Sequence, residues 1–79
     1  MKLFLKRNGC APCRRVKESI DMEKLSGDCD IVFLDEVSPS VLENYKAEHN
    51  LQTVPTLITE EDFIADSVRI IKLLEKEYA

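Results

Sequence analysis

Two short apolar runs, Leu3-Phe4-Leu5 and Ile31-Val32-Phe33-Leu34, flank a charged segment of helical periodicity, and no other feature limits the fold of this chain so strongly. A strand, a helix and a second strand in that order imply parallel pairing through a right-handed crossover. The first run, Met1 to Lys6, reads as a buried central strand ended by Asn8-Gly9. From Ala11 to about Leu25, the apolar residues Val16, Ile20 and Met22 or Leu25 fall near helical spacing, and Ser26-Gly27 closes the segment. Asp30 to Asp35 is a short β-branched and aromatic run bounded by acids, as a buried parallel strand requires.

Ser38 then offers an N-cap and Pro39 a first helical position, where a missing N–H costs nothing. That helix uses Val41, Leu42 and Tyr45 and fades around His49-Asn50. Thr56 to Thr59 predicts a third strand, Glu60-Glu61-Asp62 a tight acidic turn, and Phe63-Ile64 a fourth strand in an antiparallel hairpin. Asp66 or Ser67 caps a last helix whose apolar stripe is Val68, Ile71 and Leu74, widened by Ile70 and Leu73, up to Tyr78. The predicted order is β-α-β-α-β-β-α: an α/β chain with a four-stranded mixed sheet flanked by three helices. At 79 residues such a chain buries only about 60% of its unfolded surface, so residues 1–79 are expected to form a single domain.

A net charge of −4 gives no nucleic-acid footprint, although Lys6, Arg7, Arg14, Arg15 and Lys17 make a local basic patch. Only Leu3-Phe4-Leu5 precedes Lys6, too little for a signal-peptide core or a membrane span, so a cytoplasmic protein without membrane contact is expected. Three cysteines cannot complete a disulfide framework. In a reducing compartment a close pair is catalytic or metal-binding rather than a staple.

That pair is Cys10-Ala-Pro-Cys13, at the junction of the first strand and first helix. A helix N-terminus presents unpaired N–H groups and partial positive charge, which stabilise a thiolate, the form that attacks disulfides. Cys10 is therefore the candidate nucleophile, and Cys13, one turn inside, the resolving thiol. Bringing a thiol from about 8.5 to about 6 raises its ionised fraction at pH 7 about thirtyfold and requires about 3.4 kcal/mol. A helix dipole supplies about 0.3 to 1 kcal/mol, so direct N–H···S bonds must supply the rest, with Arg7 a candidate to assist them.

With Cys-x-x-Cys at the first strand-to-helix junction and Thr53-Val54-Pro55 before the third strand, the whole chain resembles a glutaredoxin of the thioredoxin fold. The resemblance implies a cis Pro55 facing the active cysteine, with the Val54 backbone free to pair with a substrate. It places Arg7, three residues before Cys10, against a substrate carboxylate. Ala65-Asp66 replaces the family's glycine pair, and an ungapped reading sets Val68 and Arg69 at the positions that hold a γ-glutamyl group. Asp66 and Ser67 reach those positions after a small shift and complete the substrate-binding set with Arg7, Thr53, Val54 and Pro55. Ala11-Pro12 replaces the family's commonest Pro-Tyr pair, which removes an aromatic ring from the groove.

The expected activity is thiol–disulfide exchange on protein or glutathione mixed disulfides by a monomer. It needs no tightly bound cofactor or metal and is reduced by glutathione or a thioredoxin-reductase-like flavoenzyme. The alternative is a metal or iron–sulfur module in which Cys10 from two subunits, with glutathione, holds a cluster; the Gly-Phe-Ser that commonly follows the cysteine in such relatives is absent. Cys29 is expected to be a buried, incidental thiol, His49 a solvated residue at a helix end, and Arg14, Arg15 and Lys17 a solvated helix face. Glu60, Glu61 and Asp62 lack the shielding that catalytic acids need.

Overall fold

The computed structural model describes residues 1–79, with the element order β1 (Lys2–Leu5), α1 (Ala11–Ser19), α2 (Met22–Leu25), β2 (Asp30–Phe33), α3 (Pro39–His49), β3 (Thr56–Ile58), β4 (Phe63–Ile64) and α4 (Ser67–Tyr78). The four strands form one mixed sheet in the order β2-β1-β3-β4. β1 pairs in parallel with β2, Leu3 opposite Ile31 and Leu5 opposite Phe33. It pairs antiparallel with β3, Leu3 opposite Leu57, and β3 continues into the β4 hairpin with Leu57 opposite Ile64. The apolar run of β1 thus lies inside the sheet, and Leu3, Phe4 and Leu5 are all fully buried. No helix is long and apolar enough to cross a membrane.

Alternation along β1 divides the core in two. Leu3 and Leu5 face a cluster completed by Val16, Ile20 and Leu25 from the first crossover and by Ile70, Leu74 and Tyr78 from α4. Phe4 faces the other way, with Leu34 and Leu51, against Leu42 and Tyr45 of α3.

There are four helices where the periodicity predicts three. The first helical segment breaks at Ile20, which is extended (φ −119°, ψ 142°), and Asp21 caps a new turn by accepting the Lys24 N–H at 3.1 Å. In an unbroken helix Leu25 would lie about 180° around from Val16. The break turns Leu25 into the same cluster as Val16 and Ile20.

The stripe of α4 is also rotated from the expected one. Ile70, Leu74 and Tyr78, spaced four apart, are buried, whereas Val68 and Leu73 are exposed and Ile71 is half-buried. On α3, Leu42 and Tyr45 are half-buried and Val41 is exposed. His49, expected to be solvated, lies one turn after Tyr45 on the sheet-facing side and stacks on it, ring centroids 6.2 Å apart, while tilting against Phe4 at 5.4 Å. Spacing by four residues carries it onto Tyr45's face. Asn50 then ends the helix in the left-handed region (φ 53°), which asparagine tolerates.

Tyr78 ties α4 to the α1–α2 side of the molecule: its carbonyl accepts the Asp21 N–H, and its hydroxyl donates to Asp28 Oδ2 at 2.8 Å. That hydrogen bond, with burial and the Asp28 charge, pushes the phenol up to about 12. Because the folded value lies above the unfolded one of about 10, the neutral phenol's contribution is complete below about pH 10 and is lost as pH rises toward 12. Urea midpoints measured across this window are expected to fall for the parent chain and to fall less for Tyr78→Phe. Equal slopes for the two would contradict the assignment.

Candidate active site

Gly9, at φ +71°, turns the chain from the end of β1 into α1, a conformation that L side chains rarely adopt. Cys10 follows as the N-cap of α1 in an extended conformation, and its Sγ accepts the Cys13 N–H at 3.2 Å. Ordinarily a Ser or Asp oxygen fills this capping position. Here a sulfur takes it, so the first turn points a donor at the atom proposed to carry negative charge. Pro12, in that turn, has no N–H to offer, which leaves the Cys13 amide as the directed donor.

Cys10 and Cys13 form a disulfide with their Cα atoms 5.3 Å apart. Cys13 is fully buried, and Cys10 is only partly so. The Lys6 N–H, 3.5 Å from Cys13 Sγ, faces the inner sulfur. One sulfur is thus open to an incoming group and the other sits behind it.

Val54 comes up to Cys10 from the loop between α3 and β3. The Val54–Pro55 bond is cis, as the resemblance implies, and the Val54 carbonyl oxygen lies 3.9 Å from Cys10 Sγ. In the disulfide this sulfur carries no hydrogen, so the approach is a contact rather than a donated bond. Neither the N–H nor the carbonyl of Val54 joins a backbone hydrogen bond within the chain. The segment around it is nevertheless fixed, since Thr56 Oγ1 donates to the Thr53 carbonyl at 2.7 Å and Pro55 and Thr56 are buried. A rigid backbone with a free donor and acceptor suits the addition of a short extended segment.

A groove of about 270 Å³ runs from this point toward α3. Leu34, Leu42, Leu51 and Val54 form its apolar wall, and Lys6, Lys46, Gln52 and Thr53 its polar one. Of these, Lys6 is anticipated from the sequence only as part of the basic patch, and Lys46 and Gln52 are not anticipated at all. Lys6 has the parity of Phe4, so alternation along the first strand was the available signal for the face it takes. A second hollow of about 180 Å³ lies between Thr53 and Ala65, with Phe63 on its wall.

The remaining sequence candidates are placed as follows. Arg7 does not line the groove: its guanidinium makes a bidentate pair with Glu36 (Nε to Oε2 2.5 Å, the second nitrogen to Oε1 3.2 Å) and lies 3.9 Å over the Phe33 ring. The Glu36 hydrogen bond raises Arg7 further above its ordinary value, so it is a permanent cation. Asp35 accepts the N–H groups of Arg7 and Asn8, each at 3.0 Å, and these bonds, that from Arg7 foremost, hold its carboxyl below the usual carboxylate range. Asp66 caps α4 by accepting the Val68 N–H at 2.9 Å, and Ser67 is the half-buried first residue of that helix, one step beyond the hollow beside Ala65.

Among the residues expected to be bystanders, Arg14 and Arg15 are exposed, while Lys17 reaches back to donate to the Arg7 carbonyl at 3.2 Å. Cys29 is buried, and desolvation foremost pushes its thiol up. Such a thiol is a poor nucleophile.

Residues 5–79 match the family described as Glutathione S-transferase, N-terminal domain. The chain belongs to this family. The match runs from the end of β1 through α4 and accords with the thioredoxin-like fold traced above. Comparison with curated proteins and with solved structures found no match. The family assignment therefore covers the fold and both faces of the groove at the level of the whole domain, and the chemistry is read from the residues in it.

Proposed function

We propose that this chain is a thiol–disulfide oxidoreductase of glutaredoxin type, acting on protein disulfides or glutathione mixed disulfides. The observation that carries the reading is the Cys10–Cys13 disulfide, with the outer sulfur capping a helix and facing the Val54 carbonyl and the inner one fully buried. Transfer of a thiol to an electrophile needs no protein dithiol. A pair of cysteines that can close a disulfide matches a two-electron exchange.

In the forward step the Cys10 thiolate attacks one sulfur of the substrate disulfide, and the other sulfur leaves as a thiolate. The bound half of the substrate lies along Val54, exchanging hydrogen bonds with its free N–H and carbonyl. Cys13, deprotonated as it attacks, then displaces that half from Cys10 and closes the intramolecular disulfide. Two electrons have passed from the dithiol to the substrate. Glutathione or a flavoenzyme dithiol restores them by the same exchange in reverse.

The groove favours a substrate with a carboxylate near its disulfide, as in glutathione or an acidic peptide, because Lys6 and Lys46 stand on its polar wall beside Val54. Thr53 lies between this groove and the hollow near Asp66 and Ser67, and so can contact either end of an extended substrate.

The test removes the resolving thiol. Cys13→Ser, and Cys13→Ala where a buried hydroxyl destabilises the core, are expected to accumulate a covalent adduct on Cys10 when mixed with a disulfide, whereas the parent chain releases both halves. Intact-protein mass spectrometry reads the adduct as one substrate half per chain. A parent chain and variants that all remain unmodified would contradict the reading.

A further inference from the structure

We propose that Glu36 sets the charge preference of this site by masking Arg7, leaving recognition of an anionic disulfide to the lysines of the groove. The inference deepens the oxidoreductase reading and rests on it. Arg7 lies three residues before Cys10, so their Cα atoms are at most about 11 Å apart. The Debye length is about 8 Å at physiological salt and about 30 Å at 0.01 M, so at low ionic strength, where the rates below are compared, an uncompensated charge on Arg7 would be felt by an incoming group.

The structure compensates that charge from several directions. Glu36 takes the guanidinium through two hydrogen bonds, and the Phe33 ring supports its other face. Asp35 holds the backbone N–H groups of Arg7 and Asn8, and Lys17 holds the Arg7 carbonyl, so the residue is pinned through main chain as well as side chain. Swinging Arg7 toward a substrate carboxylate would leave Glu36 without its partner and gain little net charge pairing. Lys6 and Lys46 have no such internal carboxylate partner and stand in the groove with Val54.

The Arg7–Glu36 pair is half exposed. An ion pair of that kind is worth up to about fivefold in an equilibrium, which sets the scale of the expected effect.

The experiment mixes the reduced full chain with an excess of dithiodipropionate, a disulfide with two carboxylates, or of hydroxyethyl disulfide, which is neutral. The readout is the ratio of the rates at which the two probes oxidise the protein thiols. Glu36→Gln is expected to raise the anionic-to-neutral ratio about three- to fivefold and to leave the neutral rate unchanged. Arg7→Gln alone strands the Glu36 carboxylate and is expected to lower the ratio by a similar factor. Glu23→Gln, the same charge change as Glu36→Gln but on exposed α2, is expected to leave the ratio within about 1.5-fold of the parent. Arg7→Gln added to Glu36→Gln is expected to cancel the gain.

An unchanged ratio in Glu36→Gln, or a gain in Glu36→Gln that persists when Arg7→Gln is added, would overturn the masking role. Neutral-probe reaction that survives Cys10→Ser would instead overturn the oxidoreductase reading, and the inference with it. Neutral-probe reaction that depends on Cys10 but a ratio indifferent to Glu36 would sink the inference alone.

Discussion

Cys10→Ser is expected to lower the rate of disulfide reduction at least about a hundredfold while leaving the fold intact, because neither remaining thiol can take over the exposed position. Cys13 is fully buried behind Cys10. Cys29 is buried in the core and desolvation holds it as a thiol. Serine is among the best N-cap residues, so its hydroxyl can accept the Cys13 N–H that Cys10 Sγ now accepts, and α1 keeps its start. The measurement is the oxidation rate of the reduced chain by a neutral disulfide, with thermal unfolding followed in parallel. A variant that unfolds like the parent but retains more than about a tenth of its rate would place the chemistry elsewhere.

The largest effect on stability is expected from Phe4→Ala. Phe4 is fully buried on the central strand and is the largest side chain beneath α3, where its ring meets Tyr45 edge-on at 5.3 Å and His49 at 5.4 Å. Truncating a buried phenylalanine costs about 3 to 5 kcal/mol through lost burial and the cavity left behind. A chain of 79 residues has a total stability of about 4 to 12 kcal/mol, so much of it is at stake. The consequence reaches the groove, since Leu51 and Val54 pack with Phe4 in the same cluster and also form part of the groove wall. Urea unfolding is expected to show a large drop in midpoint for Phe4→Ala and about 0.5 kcal/mol or less for Phe63→Ala, whose side chain is exposed. Similar losses for the two would contradict this division of the core.

The parts of the fold that were legible in the sequence are those fixed by local chemistry. Ser38-Pro39 starts α3 as N-cap and first helical residue, and Thr59 closes the acidic turn by accepting the N–H groups of Glu61 and Asp62. The parallel pairing of β1 and β2 follows from the helical segment between them. The break at Ile20 was hidden because Val16 and Ile20 keep helical spacing, and Asp21 reads as a surface residue until its capping bond is seen. His49 was misplaced because sequence partners were sought for its charge, whereas its position follows from Tyr45 one turn earlier.

In the site, Cys10, Cys13, Val54 and Pro55 were legible as two short motifs that the fold brings face to face. The electrostatic surroundings were not. Arg7 and Glu36 are 29 positions apart, and nothing in either neighbourhood announces their pairing. Lys46 reaches the groove only because α3 lies across the Phe4 face of the sheet. Local motifs named the candidate reacting atoms, and tertiary packing decided which charges surround them.

The exchange chemistry proposed for this chain requires that the helix-capping geometry keep the outer sulfur anionic near neutrality. The most direct measurement is the pH dependence of alkylation of the fully reduced chain, with each cysteine identified by peptide mass. Cys10 is expected to react first, with a rate that inflects well below the free-cysteine value of about 8.5, while Cys13 and Cys29 react slowly until the chain unfolds. An inflection for Cys10 at or above that value, or reaction at Cys13 ahead of Cys10, would contradict it.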